Sequence, residues 1–268
     1  EMITLPGLSG HEKPVREVIE KCWTGLVDEM RVSPAGSLEG LKKGAGDEPR
    51  KSVLLAGHMD AIGLIVTAVQ GEFLRITDVG GVDPRVMPGQ PVTVFGREVL
   101  KGVVVQPPDW LIEGHTPGTP MSLDQLFVDM GLTADEVAQK VRAGDLVAFG
   151  SMPLDLGDDV MSGHTMDDRA AVTAITFCLE ILKTRVHQWD VWAVATVQEE
   201  VGLNGAITSG YGIHPDLAIA IDVTHAKGPG TSEKSIADLG KGSVLGMGPN
   251  IHPWMYKKFK EIAEELEI

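Results

Sequence analysis

Three short apolar runs constrain this chain more than any other feature, because each breaks off at residues able to bind cations. They are "SVLLAGHMD" (52–60), "VWAVATVQEE" (191–200) and "LAIAID" (217–222). A run that is apolar on both faces of an extended chain belongs to a sheet covered on both sides. Around them, helical periodicity marks "HEKPVREVIEKCWTGLV" and "MSGHTMDDRAAVTAITFCLEILKTRV". Buried strands alternating with such helices predict an α/β fold with a largely parallel sheet and helices on both faces.

From about Gly63 the texture changes. "FLRITDVGGVDPRVMPGQPVTVFGREVLKGVVVQPP" consists of short β segments punctuated by glycine and proline, as in a small barrel. "TADEVAQKV" follows as a short helix, with Thr133 and Glu136 spaced as a capping box, and "DLVAFG" adds a strand. The simplest organisation is an α/β domain made of 1–62 and 162–268, interrupted by a β-rich insertion at 63–161. In the first helix Ser9 and Glu12 have capping-box spacing, whereas Pro14 favours a start at Lys13 or Pro14.

Charge removes one class of partner. Formal net charge is −15, so a nucleic-acid backbone would be repelled. A hydrophobic fraction of 43% with 23% charged residues is that of a soluble globular protein, and no stretch approaches the ~18 apolar residues of a membrane span. The first residues lack the basic-then-apolar order of a signal peptide, which points to a cytoplasmic protein. Cys22 and Cys178 lie in helical patterns without a CxxC pair. They are expected as small core residues in a reducing compartment.

Sites in α/β sheets form at the carboxyl ends of strands. His58, Glu200 and Asp222 sit at three such ends, and Asp167 just before a long apolar helix. All four are nitrogen or oxygen ligands suited to zinc, cobalt or manganese. Each alone has a plain structural explanation: a hydrogen-bonded histidine, a helix N-cap for Asp167 or Asp168, a turn at Asp222, a Glu-Glu pair ending in solvent. Four together are much harder to assign to coincidence.

Asp60, two residues beyond His58 on an extended segment, leaves the same face and is placed to accept the proton of the imidazole nitrogen turned away from a metal. Asp167 has two oxygens and could bridge two cations. If Glu200 binds a cation, Glu199 is placed to act as general base on the attacking water. Neighbours on an ideal strand face opposite ways, so this requires a backbone turn, which Gly202 supports. Arg169 either offsets the local acidity or makes a surface salt bridge.

Taken in order, "SGHEKPVREVIE", "AGHMDAIGLIV", "MDDRAAV", "VQEEVGLNGA" and "AIDVTHA" resemble the tetrahedral (TET-type) metallo-aminopeptidases. These form the glutamyl aminopeptidase or cellulase M family of the dinuclear zinc-peptidase clan. The resemblance spans essentially the whole chain. It implies a zinc-exopeptidase-like α/β/α catalytic domain with an inserted β-rich, PDZ-like dimerisation domain, short peptides as substrates, and dimers building a tetrahedral homododecamer. It also implies two divalent ions, zinc or cobalt: one held by His58, Asp167 and Asp222, the second by Glu200 with Asp167 as bridge. Glu199 would be the general base and Asp60 the orienting residue. Members of the family continue beyond "WMYKKFKEIAEELEI" into a segment with a final histidine ligand and much of the substrate pocket. His252 in "GPNIHPW" does not replace that ligand, which leaves the second ion two evident protein ligands and the activity of this form in question.

Two other classes stay in view. Glycoside hydrolysis needs two carboxylates flanking a glycosidic bond and gives no reason for His58-x-Asp60; aromatics for sugar stacking are only 5% of residues. A catalytically defective assembly protein is the other.

Overall fold

In a computed structural model the described residues are 2–112, 116, 118–150, 152–231 and 237–268. They divide into two compact units, Glu1–Asp222 and Val223–Ile268. The first unit holds a five-stranded sheet in the order β1 (Glu29–Val32), β2 (Leu38–Lys42), β12 (Asp190–Thr196), β3 (Ser52–His58), β13 (Leu217–Ala220). The apolar runs become β3, β12 and β13, and these three are mutually parallel.

The sheet as a whole is mixed rather than largely parallel, since β2 pairs antiparallel with both β12 and β1. The β1–β2 hairpin lacked a long apolar signal because it places charged residues such as Glu29 and Arg31 at the sheet's edge. Strand β13 is also an edge. It alternates between half-buried and exposed residues instead of being buried throughout.

Helix α1 (Lys13–Trp23) buries Val15, Ile19 and Trp23, and α3 (Met166–Leu182) buries Val172, Ile175 and Leu179, all in one core with Leu55, Ala193 and Ala195. Each fully buried aliphatic side chain contributes about 1.5–3 kcal/mol, so this layer fixes α3 against the sheet. Trp23 is fully buried and its indole N–H donates to Thr176 Oγ1 at 2.9 Å. Gly57 lets α3 come close to β3, because a Cβ there would lie 3.0 Å from that of Ala171. Cys22 departs from expectation. It is exposed on the outer face of α1, while Cys178 is half-buried.

Within 63–161 lies a closed barrel with strand order β4 (Gly63–Gln70), β5 (Phe73–Val79), β8 (Phe127–Asp129), β7 (Val99–Val105), β6 (Pro91–Phe95), β9 (Leu146–Phe149). It has its own core of Leu64, Leu74, Val94, Leu126 and Val147. Helix α2 (Ala134–Lys140) carries the capping box read from Thr133 and Glu136. A hairpin of β10 (Leu154–Gly157) and β11 (Val160–Ser162) completes the stretch, whose residues 113–115, 117 and 151 lie outside those described. Helix α4 (Asn204–Ile213) follows β12.

The second unit contains α5 (Pro253–Leu266) and a bridge between Ala226 and Ala237. His252 is the N-cap of α5, its Nδ1 accepting the Trp254 N–H at 3.3 Å. Among the described residues no helix is long and apolar enough to cross a membrane.

Candidate metal centre

Parallel pairing in register brings three strand ends together. Thr196 of β12 lies opposite His58 of β3, and the Ile221 N–H donates to Ala56 O, which carries Asp222 to the same edge. His58 is 3% exposed. Its Nε2 lies 3.0 Å from Asp167 Oδ1 and 3.7 Å from Glu199 Oε2. Its Nδ1 is 3.1 Å from the Asp60 backbone carbonyl and 3.4 Å from the Asp60 carboxylate.

Two groups of side chains converge with ligand atoms within 4.8 Å of one another: His58, Asp168 and Asp222, and His58, Glu199 and Glu200. All six residues singled out from the sequence therefore lie around one imidazole or its immediate partners. The carboxylate grouped with His58 and Asp222, however, is Asp168 and not Asp167. From the sequence Asp168 stood out only as a helix-cap candidate, and the Asp167–Asp168 doublet was the signal that pointed to both positions.

Asp168 is fully buried and accepts the His58 N–H at 3.0 Å and the Ala171 N–H at 3.3 Å, so it fastens the end of β3 to the start of α3. The second and third residues of α3, Asp167 and Asp168, are not helical in φ/ψ. That departure sends the two carboxylates in different directions: one side chain is buried beneath the site while the other is 54% exposed at its mouth.

The Glu-Glu pair lies past the end of β12, in a turn. Gln198 takes φ +56° and Leu203 φ +60°, left-handed values that cost a non-glycine residue about 1 kcal/mol or more, and Gly202 has φ +141°. The left-handed turn removes the strand alternation that would have sent Glu199 and Glu200 to opposite faces.

The buried Asp60 carboxylate holds this turn. Its Oδ1 accepts the Glu199 N–H at 3.0 Å, and its Oδ2 accepts the Glu200 N–H at 3.2 Å and the Ser9 hydroxyl at 2.6 Å. Ser9 therefore makes no capping box; α1 begins at Lys13 with Glu12 as its N-cap and no side-chain cap bond.

Arg169 is neither exposed nor in a surface salt bridge. It is fully buried, donating to Met59 O at 3.2 Å, Leu5 O at 2.7 Å and Met2 O, and so ties the N-terminal segment to the strand behind His58. Burial pulls its pKa down to about 10.

The profile of the M42 glutamyl aminopeptidase family matches residues 36–268. The chain belongs to that family. Among relatives, the lysyl aminopeptidase of Pyrococcus furiosus is 32% identical over 274 residues, covering 100% of this chain and 78% of that protein. An aminopeptidase from the archaeon Desulfurococcus kamchatkensis superposes with a TM-score of 0.89 at 33% identity, covering 100% of this chain and 76% of that one. The TET1 peptidase of Pyrococcus horikoshii, whose solved structure is described as assembling into a tetrahedron or a large octahedral shell, matches at 29% identity. Its TM-score is 0.81, with 100% of this chain and 80% of that one covered. This M42 protein is thus a metal-dependent aminopeptidase, a hydrolase of peptide bonds, and the glycoside-hydrolase reading falls away.

The electrostatics of the M42 site are those of crowded carboxylates. Burial, with the charge of Asp167 next, raises Glu200 to about 7. Burial likewise raises Asp168 to about 7 and shifts Glu199 upward. For His58 burial disfavours the charged form, but hydrogen bonds to Asp167 and Asp60 outweigh it and push the imidazole up to about 11. A buried imidazole ringed by carboxylates that resist ionising together is a donor set a divalent cation would satisfy.

Proposed function

We propose that this M42 aminopeptidase removes N-terminal residues from short peptides with two divalent ions, zinc or cobalt, bound around His58, and with Glu199 as general base. The observation that carries the reading is His58 as the common member of two converging groups of acidic side chains. His58, Asp167 and Asp222 would hold one ion. Asp167 would be shared with the second, which Glu200 also binds. Asp168 is assigned to support, because both of its oxygens already accept backbone N–H groups.

Bound ions would polarise the scissile carbonyl and lower the pKa of the attacking water. Glu199 is half-buried beside His58 Nε2, and desolvation raises its pKa, which brings it closer to the working range of a general base. It would take the proton of the attacking water and return it to the leaving amine. Asp60 orients His58 from the Nδ1 side and fixes the Glu199 backbone.

The stretch 63–161 is read as an inserted PDZ-like domain that supplies a dimer contact, from which dimers build a tetrahedral dodecamer in the cytoplasm. Assembly of the related TET1 peptidase into a tetrahedron supports this. Nucleic acid and membrane are not partners in this reading, in keeping with the net charge of −15.

The test is Glu199→Gln. Turnover of aminoacyl-nitroanilides is expected to fall about 10²–10⁴-fold while metal content by elemental analysis stays at the wild-type value. An active Glu199→Gln protein would remove Glu199 from the mechanism.

A further inference from the structure

The segment "SGHE" (9–12) has the spacing of a capping box, yet no side chain in it caps α1. The side chains of Ser9 and Glu12 run instead to the turn that carries the Glu-Glu pair. Ser9 reaches that turn through Asp60: its hydroxyl donates to Asp60 Oδ2 at 2.6 Å, and the same carboxylate receives the N–H groups of Glu199 and Glu200. Glu12 reaches it directly. Its Oε1 accepts the Gln198 N–H at 3.2 Å and the Gly10 N–H at 2.7 Å, and the residue is only 5% exposed.

Three consecutive amides, those of Gln198, Glu199 and Glu200, are thus held by two buried carboxylates. Both carboxylates are anchored by the 9–12 segment, which is itself fixed by backbone bonds. Ala61 N–H donates to Gly7 O at 2.9 Å, and His11 N–H to Leu8 O at 2.7 Å. Gln198, like Leu203, is a left-handed residue of the turn. A non-glycine residue stays in that region only when its surroundings hold it there, and Glu12 supplies one of the bonds that do.

We propose that Ser9 and Glu12 are positioning residues for peptide hydrolysis, setting the orientation of Glu199 and Glu200 through Asp60 and the Gln198 amide. Neither touches the reacting atoms. Burial of two carboxylates would be costly for stability alone, since a buried charge is stabilising only when its bonds are complete. Here the bonds of Asp60 end at the two glutamates and one of those of Glu12 at Gln198 beside them. An error of about 1 Å at a group that must meet an attacking water lowers turnover by about 10²-fold, so a small loosening of this turn has a large kinetic effect. The proposal rests on the reading of Glu199 and Glu200 given above.

The experiment compares Ser9→Ala, Ser9→Thr, Glu12→Ala and Glu12→Gln with wild type in the full chain. Amide hydrogen exchange across 197–203 is measured on the chelated protein, and kcat and KM on the zinc-loaded protein. Ser9→Ala and Glu12→Ala should exchange faster at Gln198, Glu199 and Glu200 and lose about 10- to 100-fold in kcat, with KM within about threefold. Ser9→Thr keeps a hydroxyl and Glu12→Gln keeps an accepting oxygen, so each should recover most of both properties.

Unchanged exchange in both alanine variants, unchanged kcat, or a loss confined to KM would overturn the proposal. So would a loss the conservative variants fail to recover. Glu199→Gln runs in parallel. If it stays active, the assignment of the base has failed, and the exchange data still report on the clamp by themselves.

Discussion

Asp60→Asn isolates what the buried carboxylate contributes, because it changes charge and hydrogen-bonding capacity at nearly constant shape. Asp60 is fully buried, which by itself would push its pKa up. Its pKa is nevertheless lowered, because the bonds from His58, Ser9 and Glu199 outweigh desolvation. The fold therefore favours the charge, and removing it is a net loss.

Asparagine offers one accepting oxygen where the carboxylate offered two. With that oxygen at the Oδ1 position, the Glu199 N–H keeps a partner and the Glu200 N–H faces an NH₂ group. With the amide reversed, Glu199 is the orphan. Ser9 can rotate its hydroxyl to accept in the first case. One buried N–H is orphaned either way, at about 1–3 kcal/mol, and charge assistance is lost from the bonds that remain, for a total of about 2–4 kcal/mol.

For a chain of this size that corresponds to a Tm lower by about 5–15 °C, less if the turn opens locally first. Differential scanning calorimetry of the chelated protein reads the stability, and nitroanilide turnover, expected to fall by about 10²-fold or more, reads the site. Asp168→Asn is the contrast. Burial raises Asp168 to about 7, so its surroundings disfavour the charge, and its neutral replacement should lower the Tm less than Asp60→Asn does. Equal shifts in the two variants, or no shift in Asp60→Asn, would refute the reasoning.

Two further outcomes are expected. Gly205→Ala should destabilise the protein by about 1–3 kcal/mol or more and depress turnover, because its Cβ would meet Val197 N and O at 2.5 Å and push α4 away from the Glu-Glu turn; wild-type melting and activity would show that the turn has slack. In the chelated protein, Glu200 and Asp168 have folded pKa values raised to about 7 and His58 one raised to about 11. A raised carboxylate stabilises most below its unfolded pKa and loses that contribution as pH rises through 7, while His58 loses its own as pH rises through 11. Asp60 and Asp190 are shifted downward, so their contributions change only below about pH 4. The Tm should therefore fall between pH 5 and 8, more gently in Glu200→Gln; a slope unchanged by that substitution would contradict the assignment to Glu200.

Much of this architecture is written locally. An apolar β-branched run and a 3.6-residue period each report burial of their own segment, so β3, β12, α3 and the capping box at Thr133 and Glu136 were legible before any coordinates. That His58, Asp60, Asp167, Glu199, Glu200 and Asp222 would lie near one another was legible too, since strand ends in an α/β sheet are where such side chains collect.

What depended on pairing was not. Nothing in "EMRVSPAGSLEGLK" says that β2 will lie antiparallel against β12, which makes the sheet mixed. Helical period alone read Cys22 as a core residue, whereas it lies exposed. Ser9 and Glu12 have the spacing of a cap, yet their partners, Asp60 and Gln198, are 51 and 186 residues away. Asp167 and Asp168 are neighbours in sequence with opposite fates, one at the mouth of the site and one beneath it. Arg169 reads from the sequence either as an offset to local acidity or as a surface salt bridge; it is fully buried, because the carbonyl groups of Met2, Leu5 and Met59 arrive together to receive it. A sequence pattern records which face of its own segment a residue occupies. The partner brought to that face is chosen by long-range packing, which no local period encodes.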